Sequence, residues 1–381
     1  MPARKTAGGA SSSCPCPCRS RAPQGPPPRR SPSAELKQEC AVQRSLVLST
    51  NAFRPLIEVA RQAEAAGFHR LWTTESTPRD ALVRAVTLGL HTERIKVATG
   101  ISYAFTRAPL AMAAAAADAH IATGGRFSLG LGAGTKGMRT RRYGIHDFDH
   151  PGPRLADYVR LLRAAWSAES GLSYNGPFYQ ASVPTPLVSG ELQELPPLEV
   201  FGSGVNRRML QDSAASCDGV ALHPLVSYLP YLDRVARPAL GEKTQIAAWR
   251  VTSVHEDAGE ARELARRNLA FYFTTPSYAP VVEGGRWAKT VTTIRDTFRA
   301  EPTLSWQELA AHVPDEMVED FCLTGTPADI DQRARELEND LAERGVHELV
   351  FQIAGIGLAA DEFVDACRRL LDALAPGGAR A

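Results

Sequence analysis

The chain has 381 residues, 44% hydrophobic and 22% charged, a length that suits either two domains or one α/β barrel with insertions. Its 43 Lys and Arg against 42 Asp and Glu leave a net charge of +1, so no global field draws it to nucleic acid or an acidic membrane surface. No apolar run approaches the roughly 18 to 20 residues a helical bilayer crossing needs; even Ala111 to Ala117 is followed at once by Asp118 and His120.

The first forty residues stand apart. They carry seven Lys or Arg against two Glu, with eight prolines and six serines, and too little apolar surface to offset the entropy of ordering. Residues 1–43 are therefore expected to form a disordered tail before a folded region at 44–381. The tail lacks the continuous apolar core of a secretory signal, and its prolines oppose the amphipathic helix of a transit peptide. The ordered protein is expected to begin near Val42, and the tail is expected not to be translated; an intact mass of native protein that includes it would refute this. Cys14, Cys16 and Cys18 alternate with Pro15 and Pro17, which splays the thiols and leaves no second pair or histidine cluster for zinc, so no metal site is expected. Cys40, Cys217, Cys322 and Cys367 are scattered, and an odd total of seven reads as reduced thiols in a cytoplasm.

From Arg44 onward, short β-branched or apolar runs alternate with helical stretches, the pattern of parallel α/β architecture. Ser45 to Ser49 predicts strand one. Pro55 opens a helix with Leu56, Val59, Ala60 and Ala63 at i, i+3, i+4 and i+7, and Gly67 ends it. His69 to Thr73 is strand two. A helix from near Asp80, with Leu82, Val83, Val86 and Leu90 on one face, leads to strand three at Ile95 to Thr99. The Ala-rich helix from Pro109 stops at Gly124 and Gly125 before strand four, Phe127 to Leu131. Pro153 to Glu169 is helical, and a polar excursion at about 171–197 suggests a hairpin. Leu198 to Phe201 is strand five, Val205 to Ser216 a helix, Gly219 to Leu222 strand six, Tyr228 to Val235 a helix, and Gln245 to Val254 strand seven. Residues 256–273 form a long charged helix, and about 274–320 is an irregular insertion. Pro327 to Arg344 is a helix, His347 to Ile353 strand eight, and Ala359 to Leu374 the last helix. Eight βα units in order predict a TIM (β/α)8 barrel with insertions, and chemistry in that fold sits just beyond the C-terminal ends of the strands.

Two glycine loops stand at such ends. Gly132, Ala133, Gly134, Thr135, Lys136 and Gly137 satisfy G-x-G-x-x-G, but a dinucleotide fold also needs an acidic residue at the end of the next strand, and Asp157 lies inside a helix. The loop is then either a tight turn or a place where backbone N–H groups approach an anionic or planar ligand beside the charge of Lys136. Gly202, Ser203, Gly204, Val205 and Asn206 open a helix, which makes them either a phosphate site or a helix capped by Ser203. Glu75, after strand two, is read either as a general acid or base or as the partner of an arginine such as Arg79. His223, after strand six, is either a donor to substrate or cofactor or a structural loop residue. Tyr103, Phe105, Trp249 and Arg250 are candidates to line an apolar substrate pocket. Arg141, Arg142 and Tyr143 are either anion contacts or a solvated charge run.

The runs GFHRLWTTES, TERIKVATGISYAFTRAP, GGRFSLGLGAGTKGMRTRRYG and YNGPFYQ resemble the bacterial luciferase-like monooxygenase superfamily, and within it the actinobacterial coenzyme F420-dependent oxidoreductases. The resemblance runs from Arg44 to about Leu374 and is most specific in the strand-three to strand-four block. It implies a luciferase-like barrel with F420, or alternatively FMN, at its C-terminal mouth, a small-molecule substrate and a homodimer. It further implies a non-prolyl cis peptide at Gly100-Ile101 against the cofactor ring, following Thr99. Gly202, Ser203, Gly204 and Val205 would lie at the cofactor phosphate, and Gly132, Ala133, Gly134 and Lys136 beside its tail. Sugar-phosphate-oxidising members carry an Asp-His pair after strand two and a Glu in the strand-four loop; those positions hold Glu75, Ser76 and Thr135 here, which argues against that substrate. The resemblance implies hydride transfer between F420 and an organic substrate. The alternatives are an FMN-dependent monooxygenase and a catalytically silent cofactor-binding barrel.

Overall fold

The computed structural model describes residues 41–146, 149–187 and 190–375. The expected tail therefore lies almost wholly outside the described residues, as do Cys14, Cys16, Cys18 and Cys40. Eight parallel strands close into a TIM barrel: β1 (Gln43–Leu48), β2 (Arg70–Thr73), β3 (Lys96–Thr99), β4 (Phe127–Gly132), β5 (Val200–Gly202), β6 (Gly219–Leu222), β7 (Gln245–Val254) and β8 (Glu348–Ile353). Each pairs with the next, and β8 pairs with β1, Gln43 opposite Glu348. Alternate residues of each strand turn inward. Val47, Trp72, Ala98, Phe201, Ala221, Ala247, Trp249 and Val350 fill the interior as one cluster, and the opposite faces pack on the helices. Near the N-terminal end of the strands, buried Arg70 lies 3.1 Å from Glu199 and 3.6 Å from Glu348. Glu348 also accepts from Trp72 Nε1 at 2.6 Å, so the interior charges are mutually compensated.

The helices follow local chemistry. Pro55–Ala65 buries Leu56, Val59, Ala60 and Ala63, and Gly67 follows it at φ +79°. Asp80 caps Ala81–Leu90 by accepting from Val83 N. That helix turns another face inward than its spacing suggested: Ala81, Leu82, Ala85 and Leu88 are buried, while Val83 and Leu90 are 57% and 61% exposed. It is apolar nearly all round, and close packing chose the small-residue side; a Cβ on Gly89 would lie 3.2 Å from Val97.

Three further details depart from expectation. A helix at Lys136–Tyr143, capped by Thr135 and ended by Gly144 at φ +66°, fills what read as loop. The expected helix around Tyr228 breaks into Leu229–Tyr231, a π turn Leu232–Ala236 and Arg237–Ala239, with Pro230 and Pro238 removing backbone donors. An extra strand, Cys322–Gly325, pairs beside the C-terminal half of β7, which at ten residues outreaches β6. Residues 171–197 contain an antiparallel hairpin, Leu172–Asn175 with Gln180–Val183. Residues 274–320 contain short helices, Pro276–Tyr278 and Ala288–Ala300 among them. No helix among the described residues is long and apolar enough to cross a membrane.

Candidate active site

The strand ends build the floor of the mouth. Thr99 is fully buried, and its hydroxyl donates to Gly130 O at 2.8 Å and accepts from Gly130 N at 2.9 Å, so its side chain joins β3 to β4 and is not offered to a ligand. The Gly100-Ile101 bond is cis. Only glycine fits at position 100, because a Cβ there would lie 2.5 Å from Trp249 Cζ2 and 2.9 Å from Trp72 Cε3. On the other side of the bond, Ile101 meets Gly132 and Ser203: a Cβ on Gly132 would crowd Ser203 Oγ and lie 2.7 Å from Ile101 Cδ1. Three of the expected segments thus converge at one point, packed so closely that glycine is required at positions 100 and 132.

The remaining glycine-loop residues divide. Ala133 is buried and Gly134 adopts φ +67° beside Tyr103, whereas Lys136 is exposed as the first residue of its helix. Gly202 and Gly204 serve close packing, against Ser213 and Met209 respectively. The cap of helix Arg207–Ser216 is Asn206, which accepts from Met209 N at 3.0 Å, and not Ser203. Ser203 instead packs its hydroxyl against Gly132.

One wall carries Glu75, only 8% exposed. Its partner is Arg107, which donates from Nη1 to both carboxylate oxygens at 2.8 and 3.0 Å and from Nη2 to Asp80 at 2.6 Å. The expected partner Arg79 points elsewhere, because the paired backbone of Ser76 and Arg79 turns it toward Asn51 at 2.8 Å. Burial pushes the Glu75 carboxyl above its ordinary range, and the Arg107 guanidinium opposes that shift. Tyr103 Oη donates to Glu75 O at 3.1 Å, and Tyr143 packs edge-on against Tyr103 at 5.8 Å.

The facing wall carries His223. Tyr278 stacks on its ring at 4.3 Å and 20°, and Tyr272 meets it edge-on at 4.5 Å and 70°. Leu225 N donates to Nδ1 at 3.3 Å, which assigns the proton of the neutral ring to Nε2. Burial without a charged partner pushes the imidazole down to about 3. His223, Tyr272 and Tyr278 each keep part of their surface accessible although protein surrounds them, as groups on a concave wall do. Gln352, near the end of β8, donates to Tyr272 Oη.

Two candidates leave the pocket. Arg250 turns out of the barrel and donates to the carbonyls of Ser227 and Asp320; it follows Trp249, and consecutive strand residues point to opposite faces. Phe105 packs under the guanidinium of Arg139 at 4.9 Å and against Tyr158. Arg141 and Arg142 are exposed on their helix. Arg107, Tyr272, Tyr278 and Gln352 were missed. Gln352 could have been found, since it alternates with Glu348 and Val350 on the inward face. The two tyrosines sit at and beyond the end of a long helix, where no periodicity marks them.

Chemically, the mouth offers a neutral imidazole and a carboxylate compensated by arginine beside closely packed glycines. Trp249 Nε1, buried next to Gly100, has no hydrogen-bond partner among the described residues. No group of three or more His, Cys, Asp or Glu among the described residues could hold a metal.

The luciferase-like monooxygenase family model matches residues 34–347. An uncharacterised protein of Mycobacterium tuberculosis (strain H37Rv) is 29% identical over 290 residues, covering 70% of this chain and 84% of its own. The 5,10-methylenetetrahydromethanopterin reductase of Archaeoglobus fulgidus is 27% identical over 299 residues, 76% and 86% of the two chains. Among solved structures, the coenzyme F420-dependent tetrahydromethanopterin reductase of Methanopyrus kandleri superposes with a TM-score of 0.66 at 19% identity, covering 87% of this chain and 97% of that one. The oxygenating constituent of 3,6-diketocamphane monooxygenase from Pseudomonas putida, in complex with FMN, superposes with a TM-score of 0.59 at 15% identity, covering 88% and 98%.

Proposed function

The chain belongs to the luciferase-like monooxygenase family, whose members are oxidoreductases or monooxygenases, and from that premise we propose that it transfers a hydride between coenzyme F420 and a small organic substrate. The observation that carries this reading is the convergence of Gly100-Ile101, Gly132 and Ser203, from three separate strand ends, at one point, with a neutral histidine following the end of a fourth strand, β6. Gly100 and Ile101 would lie against the ring, Ser203, Gly204 and Val205 at the phosphate, and Ala133, Gly134 and Lys136 toward the tail. Thr99 and Gly202 would hold these segments in place, Thr99 through its hydroxyl to the Gly130 backbone and Gly202 by close packing on Ser213. When bound, the cofactor supplies or accepts the hydride; the protein contributes orientation, exclusion of water and electrostatics.

His223 is given the substrate. A ring that is neutral at pH 7, with its proton on Nε2, donates a hydrogen bond without first losing a proton to solvent. Such a donor stabilises negative charge that develops on a substrate oxygen as hydride arrives at the adjacent carbon. Tyr278 and Tyr272 hold the imidazole and keep it dry. Glu75 remains the candidate acid or base, with Arg107 fixing its position. A reduced cytoplasmic setting and a homodimer belong to the same reading.

The second reading is an FMN-dependent monooxygenase, favoured by the FMN-bound neighbour of the same fold. Fluorescence titration of the protein with F420 and with FMN separates the two. Tighter binding of F420 supports hydride transfer, tighter binding of FMN moves the reading to oxygen chemistry, and binding of neither leaves the silent barrel. Ser203→Asp, which puts a carboxylate at the proposed phosphate without placing a side chain on the closely packed Gly204, is expected to weaken the bound cofactor by about tenfold or more; unchanged affinity would sink the phosphate assignment.

A further inference from the structure

Tyr103, Tyr272 and Tyr278 bring three phenols to the mouth, and two of them are tied to the protein. Tyr103 Oη donates to Glu75 O at 3.1 Å, and Tyr272 Oη accepts from Gln352. The Tyr278 hydroxyl has no hydrogen-bond partner among the described residues, and burial holds its proton well above the ordinary phenol range. A buried phenol ordinarily finds a partner, and one that does not calls for an explanation. Packing does not supply it, because stacking on His223 needs only the ring, and an unpaired hydroxyl adds a desolvation cost that phenylalanine would not carry.

The position of Tyr278 is nonetheless firmly built. It ends the turn Pro276–Tyr278, where its N–H donates to Thr275 O at 3.2 Å. Arg295, from the helix Ala288–Ala300, donates to Phe273 O at 2.8 Å and to Thr275 O at 3.2 Å, which ties down the segment leading into the turn. The ring then lies on His223 at 4.3 Å and 20°, and the Tyr103 phenol of the other wall is near enough to act on it electrostatically. Tyr278 therefore stands between the two walls, delivered by the insertion and not by a barrel strand. Beside it, the His223 ring has Nδ1 occupied by Leu225 N and carries its proton on Nε2.

We propose that Tyr278 contacts the substrate: its hydroxyl donates a hydrogen bond to the reacting oxygen of a neutral carbonyl compound, alongside the Nε2–H of His223, and keeps its proton. The inference rests on the reading of this mouth as the substrate site and not on the choice between F420 and FMN. Both donors are uncharged, and the nearby cation, Arg107, is taken by Glu75 and Asp80. Such a pair suits an oxygen that is neutral at rest and gains charge during reaction.

The test needs no cofactor. The oxygen of 4-nitrophenol gains charge on ionisation and its absorbance reports the ionised form, whereas 4-nitroanisole has the same ring and no ionisable oxygen. Both are titrated into the full-length wild type, Tyr278→Phe and Tyr272→Phe, and each protein is melted. Tyr278→Phe is expected to lose about tenfold or more in affinity for 4-nitrophenolate, to bind 4-nitroanisole as before, and to melt no lower than the wild type, since the hydroxyl removed has no protein partner. Tyr272→Phe is expected to do the reverse, melting lower through the loss of the Gln352 bond while holding 4-nitrophenolate within about twofold. Unchanged 4-nitrophenolate affinity in Tyr278→Phe, equal losses for both probes, or equal losses in both variants would overturn the proposal. So would a clear fall in the melting point of Tyr278→Phe, or its failure to fold, because the hydroxyl would then have a structural bond. A wild type that binds neither probe sinks the mouth as a substrate site together with this inference; binding of both probes that ignores Tyr278→Phe sinks the inference alone.

Discussion

The two walls of the mouth bury one titratable group each, and they treat its charge in opposite ways. Glu75 is buried with an arginine that donates from one nitrogen to both of its oxygens and from the other to Asp80, so desolvation and ion pairing pull its proton affinity in opposite directions. His223 is half-buried and packed against two tyrosine rings, and no charged group opposes its desolvation. A charge taken out of water persists only where a countercharge meets it; otherwise the group neutralises. The first wall therefore carries a fixed charge pair and the second a fixed dipole. That is a division of labour suited to a site that needs one end polar and the other dry.

The largest test breaks the first wall. Arg107→Ala leaves Glu75 buried without its countercharge and is expected to cost about 3 to 5 kcal/mol at pH 7 in urea unfolding. With the arginine gone the carboxyl shifts further up. A group whose folded pKa is raised loses stability as pH rises through that value, so the penalty should shrink toward pH 4. Adding Glu75→Gln should recover most of the loss. A penalty that ignores both pH and the second substitution would mean that Arg107 acts through packing alone.

A smaller effect sharpens the second wall. The His223 pKa is pushed from 6.5 down to about 3, so the folded state binds fewer protons than the unfolded chain between those values. Its contribution is fully present above pH 6.5 and is lost as pH falls toward 3, in all on the order of a few kcal/mol. His223→Gln should flatten that part of the stability curve. Tyr278→Ala, which admits water to the ring, should raise the folded pKa and so make the loss smaller and complete at a higher pH. In activity, the neutral-donor reading expects kcat to show no inflection near pH 6.5 from this residue; a clear one that vanishes in His223→Gln would refute it.

The barrel was legible in the chain because parallel strands buried on both faces write short apolar runs, and Ser45 to Ser49 or Gln245 to Val254 needed no tertiary information. Strand Cys322–Gly325 was not, because its four residues follow a helix at once and derive their order from β7. At the site, Gly100, Gly132 and Ser203 could be placed at strand ends, but their meeting depends on barrel closure. The partner of Glu75 was misjudged for the same reason. Arg79 is nearer in sequence, whereas Arg107 arrives from the next βα unit, and only the register of β2 against β3 brings it there.

The smallest effect probes how far the charge pair of the first wall extends. Asp80 does two jobs with two oxygens: Oδ1 accepts from Val83 N at 3.0 Å as a helix cap, and Oδ2 accepts from Arg107 at 2.6 Å. Asparagine caps helices about as well as aspartate, so Asp80→Asn retains the first job and weakens only the second. The pair is part-exposed, with Asp80 45% and Arg107 25% accessible, so its loss should cost only about 0 to 1 kcal/mol. Asp80→Ala removes the cap as well and should cost about 1 kcal/mol more. If Asp80→Asn instead costs as much as Arg107→Ala, the Asp80 contact is what holds Arg107 beside Glu75, and the wall is a triad and not a pair.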